Sequence, residues 1–593
     1  MRPVIFILMM AALLPLSPGC SGDKSPVTPC ENSRFVENFA NDVPIFEPDD
    51  ALLENSTGFH EIDLARLIGG WNWGYKGQVY NPYGWTTAAV SMQRGPNCTS
   101  PFKPVIRFLQ GSESQGSPIT GSMSDVHWVT GWDANANPPG SHQAEYRHPK
   151  CAALAYLIDN ETYVEVAVVY QVHGLSESEI LSLHEDFDEF HGKDEYDNPF
   201  NETNTAPGDW DIGITLLRWH IDDFPDDEEP ERYDFLIPDT GFLSQYPDTS
   251  PDVAYDFETG DLYIVYSKAE TPLGIEHSYI RYVWGERDDS PPYWFKSDII
   301  FESTWGDAGH WPRMVQTDFD HNGHTPSVEI GLLDFFVHVE GPQPDHYWVE
   351  DKRWICIAYT SQFDGFHAGY HVIAGGWNLE FAGWQDRVFL DLRCPELENL
   401  NAGLPCIAVT PVASARNFAA VVLSQVAGSD GYGPILRVFE VDLFGIGTLV
   451  DIDSWFEVPS PDNHADCLFP AIALHKTLTS EGPFSTSITY MAQEPEMNLL
   501  HPAMISMEIE LTIDDYNEPY LEVDRTVIGN AEVLSNVTIT GNYNISQIPF
   551  IDPGVSTSLV ATLDGEYWAA WSERIEMEPP PEVVEGTYGW IGY

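Results

Sequence analysis

The spacing richest in potential chemistry runs from Asp318 to Glu329, DFDHNGHTPSVE. Asp318, Asp320 and Asn322 occupy positions 1, 3 and 5 of a twelve-residue loop, Gly323 occupies position 6 and Glu329 position 12. Alternate oxygens at such offsets converge on a hard cation, glycine lets the backbone turn, and a final glutamate closes the shell through two oxygens. The pattern predicts a Ca2+ site. Its flanks, WPRMVQT and VEIGLLDFFVHVE, read as strands rather than helices. The loop is therefore expected to interrupt a hairpin, with Asp318, Asp320, Asn322 and the backbone of His324 as chief ligands and Glu329 as a further one. The competing reading is an Asn-Gly hairpin turn whose acids are solvated. His310, His321 and His324 crowd the same region. Imidazole suits zinc or copper better than calcium, but these spacings match no metal signature and read as exposed loop histidines.

Residues 174–192, GLSESEILSLHEDFDEFHG, carry the helical pattern of this chain. Ser176 with Glu179 forms a capping box, and Ile180, Leu183, Phe187 and Phe190 recur along one face. His184, Asp188 and His191 share a neighbouring face, which permits a metal or an acid–base pair or simply a solvated surface. Aromatic residues cluster in GGWNWGYKGQVYNPYGW (Gly69 to Trp85) and AGGWNLEFAGW (Ala374 to Trp384). They suit either stacking on sugar rings or packing between sheets. No GxSxG, HExxH or GxxxxGK[ST] occurs. SxxK appears at Ser21 to Lys24 and Ser100 to Lys103, without the helix that would aim lysine at serine. Two facing carboxylates suffice for glycoside hydrolysis, and 92 acidic residues offer no means of choosing a pair.

A repeated phrase supplies the elements that must hold these groups. Proline, a few small or apolar residues, a turn, and a β-branched or aromatic run recur from Pro149, Pro251, Pro312, Pro405 and Pro470, with a proline-less echo from Ser558. Each phrase reads as a β-hairpin, and hairpins recurring at this interval imply sheets packed around an axis. The expected fold is all-β: a six- or seven-bladed β-propeller with long loops and one inserted helix. Residues 80–110 are expected to pair into the sheet that holds the C-terminal hairpin, Leu559 to Trp571. The phrase resembles the inner strands of sialidase-like propellers. That likeness covers the pattern over residues 80–593; the nearest text to their Asp-box is STWGDAGHW (Ser303 to Trp311), out of register, and the RIP arginine motif is absent.

The N-terminus reads as an export signal: Arg2, an apolar stretch from Val4 to Leu16, then Ser17-Pro18-Gly19-Cys20. The last four residues resemble a bacterial lipobox, which implies acylation of Cys20; plain secretion is the alternative. The expected organisation is a signal peptide over 1–19, a lipid-anchored tether over 20–58, and a propeller over 59–593 with a helical and acidic insertion at about 174–231. Export places the remaining cysteines in an oxidising compartment. Cys394 with Cys406 is the expected local disulfide, and Cys98 with Cys151 the next. With 27 Lys and Arg against 92 Asp and Glu, and a formal charge of −65, the chain repels phosphate backbones. That argues against nucleic-acid binding and suits either a heavily solvated surface or the attraction of cations. The expected function is binding or scaffolding at a bacterial surface with a protein or carbohydrate ligand; the alternatives are hydrolysis of a glycan and a structural role in the envelope. The membrane enters only through the N-terminal lipid.

Overall fold

Runs of valine, isoleucine and aromatic residues form strands because branched and planar side chains pack well on a pleated surface. The computed structural model describes residues 43–46, 50–54, 56, 58–69, 85–95, 101–110, 123–158, 161–176, 179, 210–225, 229–237, 248–270, 277–286, 294–298, 322–339, 345–363, 369–379, 388–392, 401–409, 418–426, 432–441, 449–458, 466–475, 484–494, 499–513, 521–534, 539–540, 557–561, 567–577 and 582–592. After β1 (Val43–Pro44), the first antiparallel unit is β2 (Gly58–Gly69), β3 (Trp85–Arg94), β4 (Phe102–Gln110) and β5 (His127–Trp128). Helix α1 (Gly131–Ala134) leads to the second: β6 (Glu145–Ile158), β7 (Glu161–His173), β8 (Trp210–His220) and β9 (Glu231–Leu236). The third is β10 (Asp248–Tyr255), β11 (Leu262–Glu270), β12 (His277–Glu286) and β13 (Trp294–Asp298). The fourth is β14 (Asn322–Val339), β15 (Asp345–Phe363), β16 (Gly369–Asn378) and β17 (Val388–Asp391). The fifth is β18 (Ala402–Val409), β19 (Phe418–Val426), β20 (Tyr432–Val441) and β21 (Leu449–Glu457). The sixth is β22 (Asp466–His475), β23 (Phe484–Glu494), β24 (Leu499–Ile513) and β25 (Leu521–Val533), with β26 (Ile539–Thr540) added against β24. The last holds β27 (Thr557–Ala561), β28 (Tyr567–Met577) and β29 (Glu582–Gly592).

The last unit takes its fourth strand from the other end of the chain. Val43 lies opposite Gly589 and Pro44 opposite Tyr588. The closing segment is therefore Val43–Pro44 and not residues 80–110, which instead contribute β3 and β4 of the first unit. Ile45 and Phe46 are fully or nearly fully buried, so part of the stretch expected to be tether is packed into the fold. Arg107 fastens this strap by donating to the Ile45 carbonyl at 2.8 Å and to Asp50 Oδ2 at 2.6 Å.

Apolar clusters fill the gap between each unit and the next. Tyr146 and Phe108 belong to the cluster between units one and two, Tyr156 and Val253 to the next, then Val265 with Ile330, Ala358 with Ile407, Val422 with Ile472, and Ala473 with Leu559. The final cluster joins Trp568 of β28 to Leu64 of β2, with Ile45 and Phe46 in it. The units thus close into a ring, a β-propeller-like fold whose innermost strands are β2, β6, β10, β14, β18, β22 and β27. One contact breaks the regularity: β2 and β6 pair in parallel over Leu67–Gly69 and Ala153–Ala155, which merges the first two units into one eight-stranded sheet.

Each of the first six inner strands begins with a bulge. Glu61, His148, Ser250, Thr325, Leu404 and Phe469 have φ between 46° and 52°, and the pairing register slips at each of them. Left-handed backbone costs a non-glycine residue on the order of 1–2 kcal/mol. Five of the six precede a proline, which cannot donate to the ladder and so sits where the extra residue leaves pairing interrupted. Here the repeated prolines find their structural role. The proline of the fourth unit is Pro326; Pro312 lies outside the described residues.

Other expectations meet the structure unevenly. Ser176 and Glu179 form the capping box, with Ser176 N donating to Glu179 Oε2 at 2.7 Å and Glu179 N to Ser176 Oγ at 3.4 Å. Residues 180–209, including His184, Asp188 and His191, lie outside the described residues. The apolar run from Ile212 to Trp219 is the body of β8, so the expected insertion is interrupted by an integral strand. Among the described residues no helix is long and apolar enough to cross a membrane.

Candidate functional site

The innermost strand of a sheet has no partner on its channel side, so its N–H groups need other acceptors. Two residues beyond each bulge stand Asp63, Lys150, Asp252, Ser327, Cys406 and Ala471, with Ser558 at the matching place on β27. Asp63 Oδ2 accepts from Cys151 N at 3.0 Å, Asp252 Oδ2 from Val328 N at 2.9 Å, and Ser327 Oγ from Ile407 N at 3.3 Å. Leu64 N donates to Ser558 Oγ at 3.0 Å, which closes the circuit from the last unit to the first. Cys406 stands at the corresponding place, where burial pushes its thiol up to about 11 against the pull of the Ile472 N–H and Lys150. Each of these hydrogen bonds stitches one inner strand to the following one.

The circuit changes character at two places. Ala471 has no polar atom to offer. Lys150 is a donor, and its Nζ turns back to Asp63 Oδ1 at 3.0 Å; the same oxygen accepts from Ser558 Oγ at 3.0 Å. Burial works against the charge on Lys150, but Asp63, Asp252 and Cys406 outweigh it and hold the ammonium above the usual lysine range. Beside it, burial pushes Asp252 up to about 6 against the pull of Lys150. His148 is driven down to about 3 by burial and by its basic neighbours Arg147 and Lys150, so the imidazole is neutral at physiological pH. Its backbone N–H donates to Glu61 Oε2 at 2.6 Å.

Four residues beyond the bulge the ring is lined by small side chains: Ala65, Ala152, Ala254, Ala408 and Ala473. The exceptions are Val560 on β27 and Glu329. Glu329 pairs in register with Cys356, and burial raises its carboxyl to about 7, with Arg66 opposing and Asp252 reinforcing the rise. Burial likewise lowers Arg66, against the attraction of Glu329. Both residues are half-buried. At the levels two and four residues beyond the bulge, charged residues fall on β2, β6, β10 and β14; β18, β22 and β27 present Cys406, Ala408, Ala471, Ala473 and Ser558 there.

The expected calcium set lies only in part within the described residues. Asp318 and Asp320 lie outside the described residues, whereas Asn322 and His324 open β14, paired with Gln362 and Thr360. Seven residues of extended strand span about 20 Å. Glu329, deep in the lumen, therefore cannot close the shell of an ion held at Asn322. Among the described residues no group of three or more His, Cys, Asp or Glu side chains is arranged to hold a metal. Cys406 and Cys151 are free thiols, and their expected partners Cys394 and Cys98 lie outside the described residues. So do Cys20, His310, His321 and the segment Ser303–Trp311.

Two further expectations meet packing where the described residues reach them. Lys103 of the SxxK spacing is buried, with Nζ 2.9 Å from Asp133 Oδ1 and donating to the carbonyls of His142 and Ala144 at 2.7 and 2.8 Å. In the GGWN segment of β16, a Cβ on Gly376 would stand 2.2 Å from the Ile355 carbonyl oxygen, so the glycine serves close strand approach. Trp85, from the other aromatic segment, is 7% exposed and belongs to the core between units one and two.

No family model matches the sequence, and no curated protein does. Among solved structures the chain is similar to a thermostable family-43 glycoside hydrolase, at 12% identity and TM-score 0.25 over 58% of this chain and 88% of that one. It is also similar to a Hadza microbial sialidase, at 10% identity and TM-score 0.31 over 76% and 66%. A third is an N-acetylgalactosamine deacetylase from F. plautii, solved with blood group B trisaccharide, at 10% identity and TM-score 0.26 over 66% and 90%.

Proposed function

We propose that this chain is a seven-bladed propeller, exported and held by an acylated Cys20 to the bacterial envelope, that binds a protein or glycan without cleaving it. One observation carries the choice of binder over hydrolase: the lumen acids are occupied in holding the ring together. Asp63 receives Cys151 N, Lys150 Nζ and Ser558 Oγ, and Asp252 receives Val328 N and Val253 N, one on each oxygen. A glycosidase needs a second carboxylate free to act on sugar or water, and Glu329 has no such companion among these. An envelope-structure role would leave the lumen without a ligand. Ca2+, on this reading, sits at Asp318, Asp320, Asn322 and the His324 backbone, stabilising the turn that leads into β14.

The test is an array of glycans and envelope proteins probed with purified protein. Saturable binding supports the proposal, and its absence from both arrays refutes it. Mass spectrometry of the native N-terminus addresses the anchor: an acylated Cys20 is expected, and an unmodified terminus elsewhere removes that part of the account.

A further inference from the structure

Beyond the register pair Glu145 and His173, β6 and β7 part. The chain ahead of β6 and the chain after β7 still lie against each other: a Cβ on Gly174 would stand 3.7 Å from the Gln143 carbonyl oxygen and 3.9 Å from the Ala144 Cα. The His142 side chain ties these two connections together. His142 Nε2 lies 2.8 Å from Glu179 Oε1, and His142 Nδ1 accepts from Ala144 N at 3.2 Å. A backbone N–H can only donate, so Nδ1 carries the lone pair and Nε2 the proton. The two contacts together require a neutral imidazole in one tautomer.

The groups around the ring are themselves held. Lys103 of β4 donates from Nζ to the His142 and Ala144 carbonyls at 2.7 and 2.8 Å and pairs with Asp133 of α1 at 2.9 Å, which pins the backbone on both sides of Gln143. Trp132 of α1 stacks on the imidazole, with centroids 6.2 Å apart. Ser176 donates to Glu179 Oε2 from its N–H and from its hydroxyl. Burial works against the charge on Glu179, but the bonds from Ser176 and the imidazole outweigh it and hold the carboxyl below the usual glutamate range. The carboxylate therefore stays ionised wherever histidine titrates. The next ionisable groups on β6 and β7 are Glu145, paired with Arg147 at 2.8 Å, and His173, packed against Trp210.

We propose that His142 is a pH-operated latch: neutral, it ties the connection ahead of β6 to the turn at Ser176–Glu179; protonated, it keeps Glu179 and releases Ala144. A proton on Nδ1 sets two donors against each other across 3.2 Å, whereas the bond to Glu179 becomes charge-assisted. Because Lys103 holds the backbone, the ring is the part that moves, away from Ala144 N and off the Trp132 face. Imidazole changes charge between about pH 5 and 8, so the latch responds to mild acidification. It is independent of the ligand proposed above.

Hydrogen exchange of the full-length protein, read by mass spectrometry in peptides that bracket Ala144 and corrected for the intrinsic effect of pH, tests the assignment. Protection of the Ala144 amide should fall about tenfold from pH 8 to pH 5, the size expected for loss of one hydrogen bond. His142→Gln offers an amide oxygen to Ala144 and an amide N–H to Glu179 without titrating, and its protection should stay level. Glu179→Gln removes the carboxylate that favours the imidazolium, and should move the fall to lower pH. Level protection in the wild type, an equal fall in His142→Gln, or a fall that Glu179→Gln leaves in place overturns the proposal.

Discussion

The Glu329 carboxyl makes stability depend on pH in a defined direction. Its folded-state value of about 7 lies above the 4.5 of the free side chain, so the folded chain holds this proton more tightly than the unfolded chain does. The contribution is fully present below 4.5 and is lost as pH rises through 7. At roughly 1.4 kcal/mol per pH unit of displacement, ionisation costs the fold at most about 3.5 kcal/mol, and the partial exposure of Glu329 lowers that ceiling. Asp252, raised from 3.8 to about 6, acts in the same sense over a lower window. Glu329→Gln removes the titrating group while keeping its volume. Urea midpoints of wild type and variant between pH 4.5 and 8 should nearly coincide at the acid end and diverge through pH 7, with the variant the more stable at pH 8. Parallel curves, with a constant difference from pH 5 to 8, would refute the placement of this carboxyl in a desolvated lumen beside Arg66, Asp252 and Cys356.

Phe46→Ala should cost about 3–5 kcal/mol, as for a buried aromatic, because Phe46 is 2% exposed, packs 5.0 Å from the Phe59 ring and lies under Arg107; a change under 1 kcal/mol in urea unfolding would show that the strap does not close the ring. Ala471→Ser supplies the oxygen that the stitching circuit lacks between β22 and β27, and a gain of about 0.5–1.5 kcal/mol is expected, read as a higher urea midpoint. Chelation of Ca2+ should lower the melting temperature, by the equivalent of roughly 2.7 kcal/mol at a hundredfold excess of ion over Kd, and Asp320→Ala should abolish that response; identical melting with and without chelator removes the calcium site.

The all-β, ring-forming character was legible because proline marks the bulge of the inner strands: Pro149, Pro251, Pro405 and Pro470 each follow a left-handed residue. Pro326 was hidden inside the loop read as a cation site, and the first unit places Ile62 where the others have proline. The strap escaped notice since Ile45 and Phe46 are only two apolar residues in a polar stretch, and their burial depends on β28 and β4 far along the chain. The lumen was invisible for the same reason. Asp63 meets Cys151 across 88 residues, Asp252 meets Val328 across 76, and Ser558 meets Leu64 across 494. No local spacing encodes such contacts; only alignment of the bulges brings Asp63, Lys150 and Asp252 to one level and isolates Glu329 among alanines.

The central claim, that the protein binds without cleaving because its lumen acids are spent on the ring, is tested most directly by recovering the ligand. Any glycan found on the array should be incubated with the protein at saturating concentration for many hours and then analysed by mass spectrometry. The account predicts saturable binding and an intact glycan. Progressive cleavage that disappears in Glu329→Gln would contradict it.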